Sequence, residues 1–447
     1  MQTLTEQAAA LDSGQTTARA LVENGLARIA DPDGEGGRSF LTVYRAAAPA
    51  VAEAMDVLRR ARRAPGPFAG IPVSLKDLLD VAGEVTTAGS RALADAPAAA
   101  SHAPVVQRLL AAGFVPVGRT NMTEFAYSGL GLNPHHGTPR APWDRAAGGR
   151  IPGGSSSGAA VSVADGMATV AIGTDTGGSC RIPAACCGIV GFKPTARRVP
   201  TEGVLPLSPT LDSVGPLARS VADCALVDAV LAGEAPRPPA AADPGRITLA
   251  VPDMLFLDDL EAPVAETFEL AVRRLAGAGM RIVQAHFPAL AVLREVNAGG
   301  GISPPEAFAW HRDLLARRGA DYDPRVRVRI ARGGDASAAD FAALLAARSR
   351  IRRAMDAATA PYDALLSPTI PILPPRIADL ADDAAYLRAN AMVLRNTSVA
   401  NFLDRCAISL PCHAPGAPPV GLMLTGETMG DARLFAVAAA VERALAG

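Results

Sequence analysis

The run PGGSSSGAAVSVADGMATVAIGTDTGGSCRIPAACCGIVGFKPT, residues 152 to 195, constrains the chain more tightly than any other segment. Two loops of glycine and serine, GGSSSG at 153 to 158 and DTGGS at 175 to 179, bracket a helix-like stretch of small residues. Glycine lets the backbone pass close to a ligand with its N–H groups converging, and serine adds hydroxyls at the same place. The frame that holds these loops is legible in the flanking pattern. From residue 68 onward short β-branched runs alternate with helical segments, GIPVSL, then PVVQRLLAAG, then FVPVG. That alternation implies βα units and a sheet that is at least partly parallel.

The rest of the chain extends the same plan. Residues 3 to 31 and 41 to 63 place apolar side chains at helical spacing on either side of the turn DPDGEGG, which predicts two packing helices. A Pro/Ala stretch at 233 to 245 reads as a surface connection, and ITLAVP at 247 to 252 as a strand. Residues 304 to 360 read as mostly helical, a cap or lid packed on the sheet; strands return at DALLSP, AISLP and PVGLMLTG, and DARLFAVAAAVERAL closes the chain as a helix. The expected organisation is a helical region at 1–66, a core at 67–240 that carries the chemistry, and a second half at 241–447 completing the same domain, with a helical cap at about 290–360.

Charge narrows the function classes. With 43 basic against 44 acidic residues there is no excess of positive charge to grip nucleic acid or an anionic lipid surface, so neither is expected as a partner. No stretch reaches the roughly 18 apolar residues of a spanning helix. The start, MQTLTEQAAALDSGQ, lacks the basic and apolar runs of a signal peptide, which predicts a cytoplasmic protein. Six cysteines without a Cys-x-x-Cys pair read as reduced core thiols, and six scattered histidines give no metal-ligand spacing. No metal is expected.

One bias is informative. Only two of the 43 basic residues are lysine, Lys76 and Lys193. Where lysine drifts freely to arginine, a surviving lysine marks a need that guanidinium cannot meet, such as losing its proton when buried. Lys193 stays open as a chance survivor. For Lys76 the neighbouring strand residues Ile71, Val73 and Leu75 offer an apolar bed. Keeping a lysine neutral at pH 7 takes about 4 to 5 kcal/mol of environmental bias.

Three readings of the glycine and serine loops compete. A Walker phosphate loop needs Ser or Thr after its lysine, and Lys193 is followed by Pro194; the nearest dinucleotide fingerprint, Gly129-Leu130-Gly131, meets Pro134 where the third glycine belongs. A nucleophile elbow is formally present at 154 to 158, but it requires a strand directly before it, and AAGGRIPGG reads as loop. The third reading is hydrolysis of an amide, which needs an activated nucleophile, a base that returns its proton to the leaving amine, and donors for the oxyanion. Here Ser179 attacks, the N–H groups of Thr176, Gly177, Gly178 and Ser179 converge on the oxyanion, and Lys76 acts as base relayed through Ser155. On this reading, side chains at 177 and 178 would obstruct the approach.

Residues 152 to 195, together with PFAGIPVSLKD and TTAGS (67 to 90), GRTNMTEFA (118 to 126) and NPHHGTPRAPWD (133 to 144), resemble the amidase signature family of serine hydrolases. The resemblance implies a triad of Lys76, Ser155 and Ser179 with a cis Gly154–Ser155 peptide bond. It implies one α/β domain around a mixed, mostly parallel sheet of about eleven strands. It also implies that Asp175 and Arg181 pair to hold the oxyanion turn, that Ala126, Tyr127, Ser128 and Gly129 line the acyl pocket, and that no cofactor takes part. The expected activity is hydrolysis of a small carboxamide through an acyl-enzyme. Ester or carbamate (urethane) hydrolysis by the same serine, and glutamine hydrolysis within a tRNA-dependent amidotransferase, stand as alternatives. The sequence does not fix the assembly, with a homodimer among the expectations. Cys180, Cys186 and Cys187 read as small core residues, Ser156 and Ser157 as polar loop residues, and Thr174 as a hydrogen bonder in a turn.

Overall fold

The structure is a computed structural model and describes residues 2 to 446. Eleven strands form one sheet: β1 (Phe40–Val43), β2 (Pro72–Lys76), β3 (Val115–Thr120), β4 (Val170–Thr174), β5 (Val190–Lys193), β6 (Val214–Ala218), β7 (Thr248–Pro252), β8 (Arg281–Ala285), β9 (Ala364–Pro368), β10 (Ala407–Pro411) and β11 (Gly421–Thr425). Their order is β1-β3-β2-β4-β6-β5-β10-β11-β9-β7-β8. Helices cover the sheet, and β2, β4, β5, β6, β9 and β11 are buried along their whole length. Of these, β2, β9 and β11 were legible as strands in the sequence; β5 and β6 were not, and β4 falls at the end of the stretch that read as helix-like, because VAIGT, VGFK and VGPLA are short and broken by glycine or proline.

The sheet is mixed, as expected, but parallel pairing is the minority. Only β2 with β3 and β4, and β7 with β8 and β9, run parallel; the other six neighbouring pairs are antiparallel. Antiparallel neighbours need no crossover helix, so loops such as 412 to 420 between β10 and β11 suffice, and alternation of strand and helix patterns along the chain does not reveal them.

The N-terminal helical stretch also differs from the expectation. Residues 3 to 31 hold two helices, Leu4–Asp12 and Ala18–Ala30, because Gly14 takes a positive φ of 73° and Thr17 caps the second, its hydroxyl accepting the Ala20 N–H at 3.1 Å. The second stretch begins as β1, which pairs antiparallel with β3 before the helix Ala47–Arg60 starts. Among the described residues no helix is long and apolar enough to cross a membrane.

Candidate active site

The parallel pair β2 and β4 ends at Lys76 and Thr174, and these carboxyl ends are where ligands gather in open α/β sheets. Lys76 is wholly buried, with Nζ 2.7 Å from Ser155 Oγ and 2.8 Å from Thr174 Oγ1. Burial, only partly offset by the field of Asp175 and Asp212, pulls its pKa from the ordinary value of 10.5 down to about 7. Ser155 follows a cis peptide bond to Gly154 and lies just ahead of the helix Ser157–Ala164. A Cβ at Gly154 would come within 2.5 Å of the Gly131 nitrogen, so the site has no room for a side chain there. The Ser156 N–H donates to the Ser179 carbonyl at 3.3 Å, which stitches the two glycine and serine loops together.

Thr174 and Ser156 carry more than their sequence context suggested. Besides receiving Lys76, Thr174 exchanges contacts with Ser156, whose hydroxyl lies 3.3 Å from the Thr174 carbonyl and 3.4 Å from its N–H. The three hydroxyls and the amine thus form one buried polar network.

The turn after β4 is fixed by residues far away in sequence. Asp175 accepts from Arg181 Nη2 at 2.9 Å and Nε at 3.0 Å, from Asn401 Nδ2 at 2.9 Å and from the Cys180 N–H at 3.1 Å. Burial acts to raise the Asp175 carboxyl, but the facing Arg181 charge and these donors outweigh it and hold it at about 2. Thr176 donates its hydroxyl to Asp212 at 2.5 Å, and Thr397 donates to the Gly177 carbonyl at 2.7 Å. Among the described residues the N–H groups of Thr176, Gly177, Gly178 and Ser179 meet no protein acceptor, so they remain able to donate. Nothing in the sequence connected Asp212, Thr397 or Asn401 to this turn, because the contacts span 36 to 226 positions.

The two glycines are not equivalent. A Cβ on Gly178, whose φ is 140°, would lie 2.2 Å from Thr397 Oγ1, whereas one on Gly177 meets nothing nearer than Leu394 Cδ2 at 3.3 Å. Packing against the protein itself therefore excludes a side chain mainly at Gly178. Gly178→Ala is expected to destabilise the fold by about 1 to 3 kcal/mol and depress turnover, and Gly177→Ala to do much less. Thermal unfolding and kinetics of the two variants side by side check this; equal effects would contradict it.

A cavity of about 660 Å³ opens onto Ser179, Thr176 and Gly177. Ala126, Tyr127 and Ser128 line it. Gly129 is not among the lining residues: its N–H donates to Asn390 Oδ1, and its carbonyl receives the Gly154 N–H at 2.8 Å, so it braces the serine loop. The remaining wall comes from Leu207 and Leu211, from the glycine-rich stretch 297 to 304, from Arg329 and Arg332, and from residues between Asn390 and Phe402. The cap region thus faces the cavity, while the contribution of 390 to 402 had no signal in the sequence. All six cysteines are buried and unpaired, and burial pushes the thiols of Cys180, Cys186 and Cys187 upward, so they stay protonated in the core. Lys193 is buried too, and its ammonium donates to the carbonyls of Pro194 and Arg405 at 2.6 and 3.0 Å, tying β5 to the start of β10.

Comparison with known proteins agrees with this architecture. The family model Amidase matches residues 20–435. The chain is 38% identical to 2-amino-5-chloromuconic acid deaminase of Comamonas testosteroni over 98% of its length and 95% of that protein's. It is 34% identical to one chain of the glutamyl-tRNA(Gln) amidotransferase of Thioalkalivibrio sulfidiphilus, covering 98% of this chain and 96% of the relative. A crystal structure of an amidase superposes with a TM-score of 0.88 at 31% identity over 99% of both chains. With a buried lysine and two serine loops at the carboxyl edge of its mixed sheet, the chain belongs to the amidase family, the amidase signature enzymes, and is a hydrolase of amide C–N bonds.

Proposed function

We propose that the protein hydrolyses a small carboxamide through an acyl-enzyme on Ser179. Ser179 Oγ adds to the amide carbonyl as its proton passes to Ser155 and the Ser155 proton to Lys76 Nζ. The carbonyl oxygen, now an anion, is received by the N–H groups of the 176 to 179 turn. Collapse breaks the C–N bond, and the proton returns from Lys76 through Ser155 to the leaving nitrogen, which departs as ammonia or an amine. Water then cleaves the ester by the same relay. The observation that carries this reading is a fully buried lysine whose partners are two hydroxyls and whose pKa is drawn to about 7, within reach of both proton states at neutral pH.

A fluorophosphonate followed by peptide mass spectrometry tests it: one adduct per chain is expected, on Ser179, and Ser179→Ala abolishes it together with ammonia release from amides. An adduct elsewhere, or turnover surviving in Ser179→Ala, rejects the reading.

The relative that acts on 2-amino-5-chloromuconic acid favours a second reading, release of ammonia from an amino-substituted unsaturated diacid by the same residues. Ammonia release from 2-aminomuconic acid, from glutamine and from simple amides, measured on the purified chain alone, ranks these and separates both from a glutamine-hydrolysing role like that expected of an amidotransferase relative.

A further inference from the structure

We propose that the substrate carries a carboxylate, held in the cavity by the guanidinium groups of Arg329 and Arg332. The inference deepens, and rests on, the reading of Ser179 as nucleophile in the same cavity. Arg329 sits in the last turn of the helix Pro324–Ala331 and Arg332 just beyond it, three positions on, so both fall on one face, and both line the cavity. Among the residues that line it there is no Asp, Glu or Lys.

Among the neighbouring arginines, Arg325 meets Asp383 at 2.7 Å and Arg318 meets Asp321 at 2.6 Å, while Arg327 donates to the Gly319 carbonyl at 3.3 Å. Among the described residues neither Arg329 nor Arg332 forms an ion pair; Arg329 stacks over the Tyr127 ring at 4.5 Å and donates to the Tyr127 carbonyl. Two acids adjoining lining residues, Glu306 and Asp212, are engaged elsewhere, and Asp335, three positions beyond Arg332, is exposed and forms no ion pair among the described residues. Glu306 accepts from the Thr210 N–H at 3.1 Å and from the hydroxyls of Ser208 and Thr210, while Asp212 is held by Thr176 and by the N–H groups of Leu207 and Ser208. Asn390 adds a neutral donor. Its Oδ1 is occupied by Ser128 and Gly129, leaving its NH2 group without a partner among the described residues.

Two cations and an amide donor facing a small cavity with no anion in its wall make a receptor for a planar oxyanion, which a guanidinium fork binds in a bidentate manner. A terminal carboxylate on the acyl part of the amide supplies that anion without any change to the reacting bond.

Equilibrium binding by calorimetry, using succinate, glutarate and adipate against their neutral diamides, tests the proposal without requiring turnover. At least one diacid is expected to bind the wild-type chain roughly tenfold or more tighter than its diamide, a preference that shrinks at high salt and falls about tenfold in Arg332→Gln. Arg329→Gln should act likewise. Because Arg329 also holds Tyr127, Arg332→Gln decides the matter if the other variant does not fold. Equal binding of diacids and diamides, or a preference unchanged in Arg332→Gln, overturns the proposal. Fluorophosphonate labelling of Ser179 is read in parallel: lost labelling with an intact diacid preference would count against the nucleophile and leave the anion site standing.

Discussion

Lys76→Arg is expected to cut kcat/KM by about a thousandfold or more, the upper range of what a positioned general base contributes. Guanidinium keeps its proton at any accessible pH, so it cannot accept one from Ser155, and it is bulkier than the slot between Ser155 Oγ and Thr174 Oγ1, at 2.7 and 2.8 Å from the native nitrogen. Circular dichroism and unfolding separate lost chemistry from lost structure, and Lys76→Ala with added small primary amines provides the complementary check, since partial rescue is expected where the cavity admits the amine. Retention of more than about a tenth of wild-type activity by Lys76→Arg would refute the base assignment.

The same lysine sets the pH response. Its pKa lies near 7 in the folded chain because burial disfavours the charged form, and only the neutral amine takes the serine proton. Activity of the wild type should therefore rise as pH increases through about 7 and then level off, rather than continuing to climb toward the ordinary lysine value of 10.5. For stability the sign is the same: between these two values the unfolded chain binds more protons at this position than the folded one, so the lysine's contribution improves with rising pH.

The second large effect concerns stability. Arg181→Met should cost about 3 to 5 kcal/mol, because it removes the paired charge while leaving the Asp175 carboxylate buried. Asp175 would keep its bond from Asn401, at 2.9 Å, but lose both guanidinium contacts, and the turn that presents Thr176 to Ser179 hangs on that carboxylate. Denaturant unfolding measures the loss; a change below about 1 kcal/mol would mean that the pair contributes little. In the wild type the carboxyl of Asp175 is held below its ordinary value of 3.8, at about 2, so the stability it confers is complete above pH 4 and disappears as pH falls through about 2.

The contrast between Gly177 and Gly178 shows where the sequence ran out. Both glycines stood out as conditions for an oxyanion turn, yet only the position of Thr397, 219 residues beyond Gly178, adds a packing constraint to one of them. Likewise, Thr174 looked like an ordinary turn residue until parallel pairing of β2 and β4 brought its hydroxyl to Lys76.

What the sequence determined by itself was local chemistry: two glycine and serine loops, a lysine kept amid forty-one arginines, and apolar runs that mark strands such as β7, β9 and β11. Such signals survive in one dimension because each depends on residue type and near neighbours. Tertiary structure alone decided which strands pair antiparallel, that Gly129 braces the loop instead of lining the cavity, and that Arg329 and Arg332 face Ser179's cavity without an acid among them. Those outcomes depend on which distant surfaces burial presses together, and the chain order carries no record of that distance.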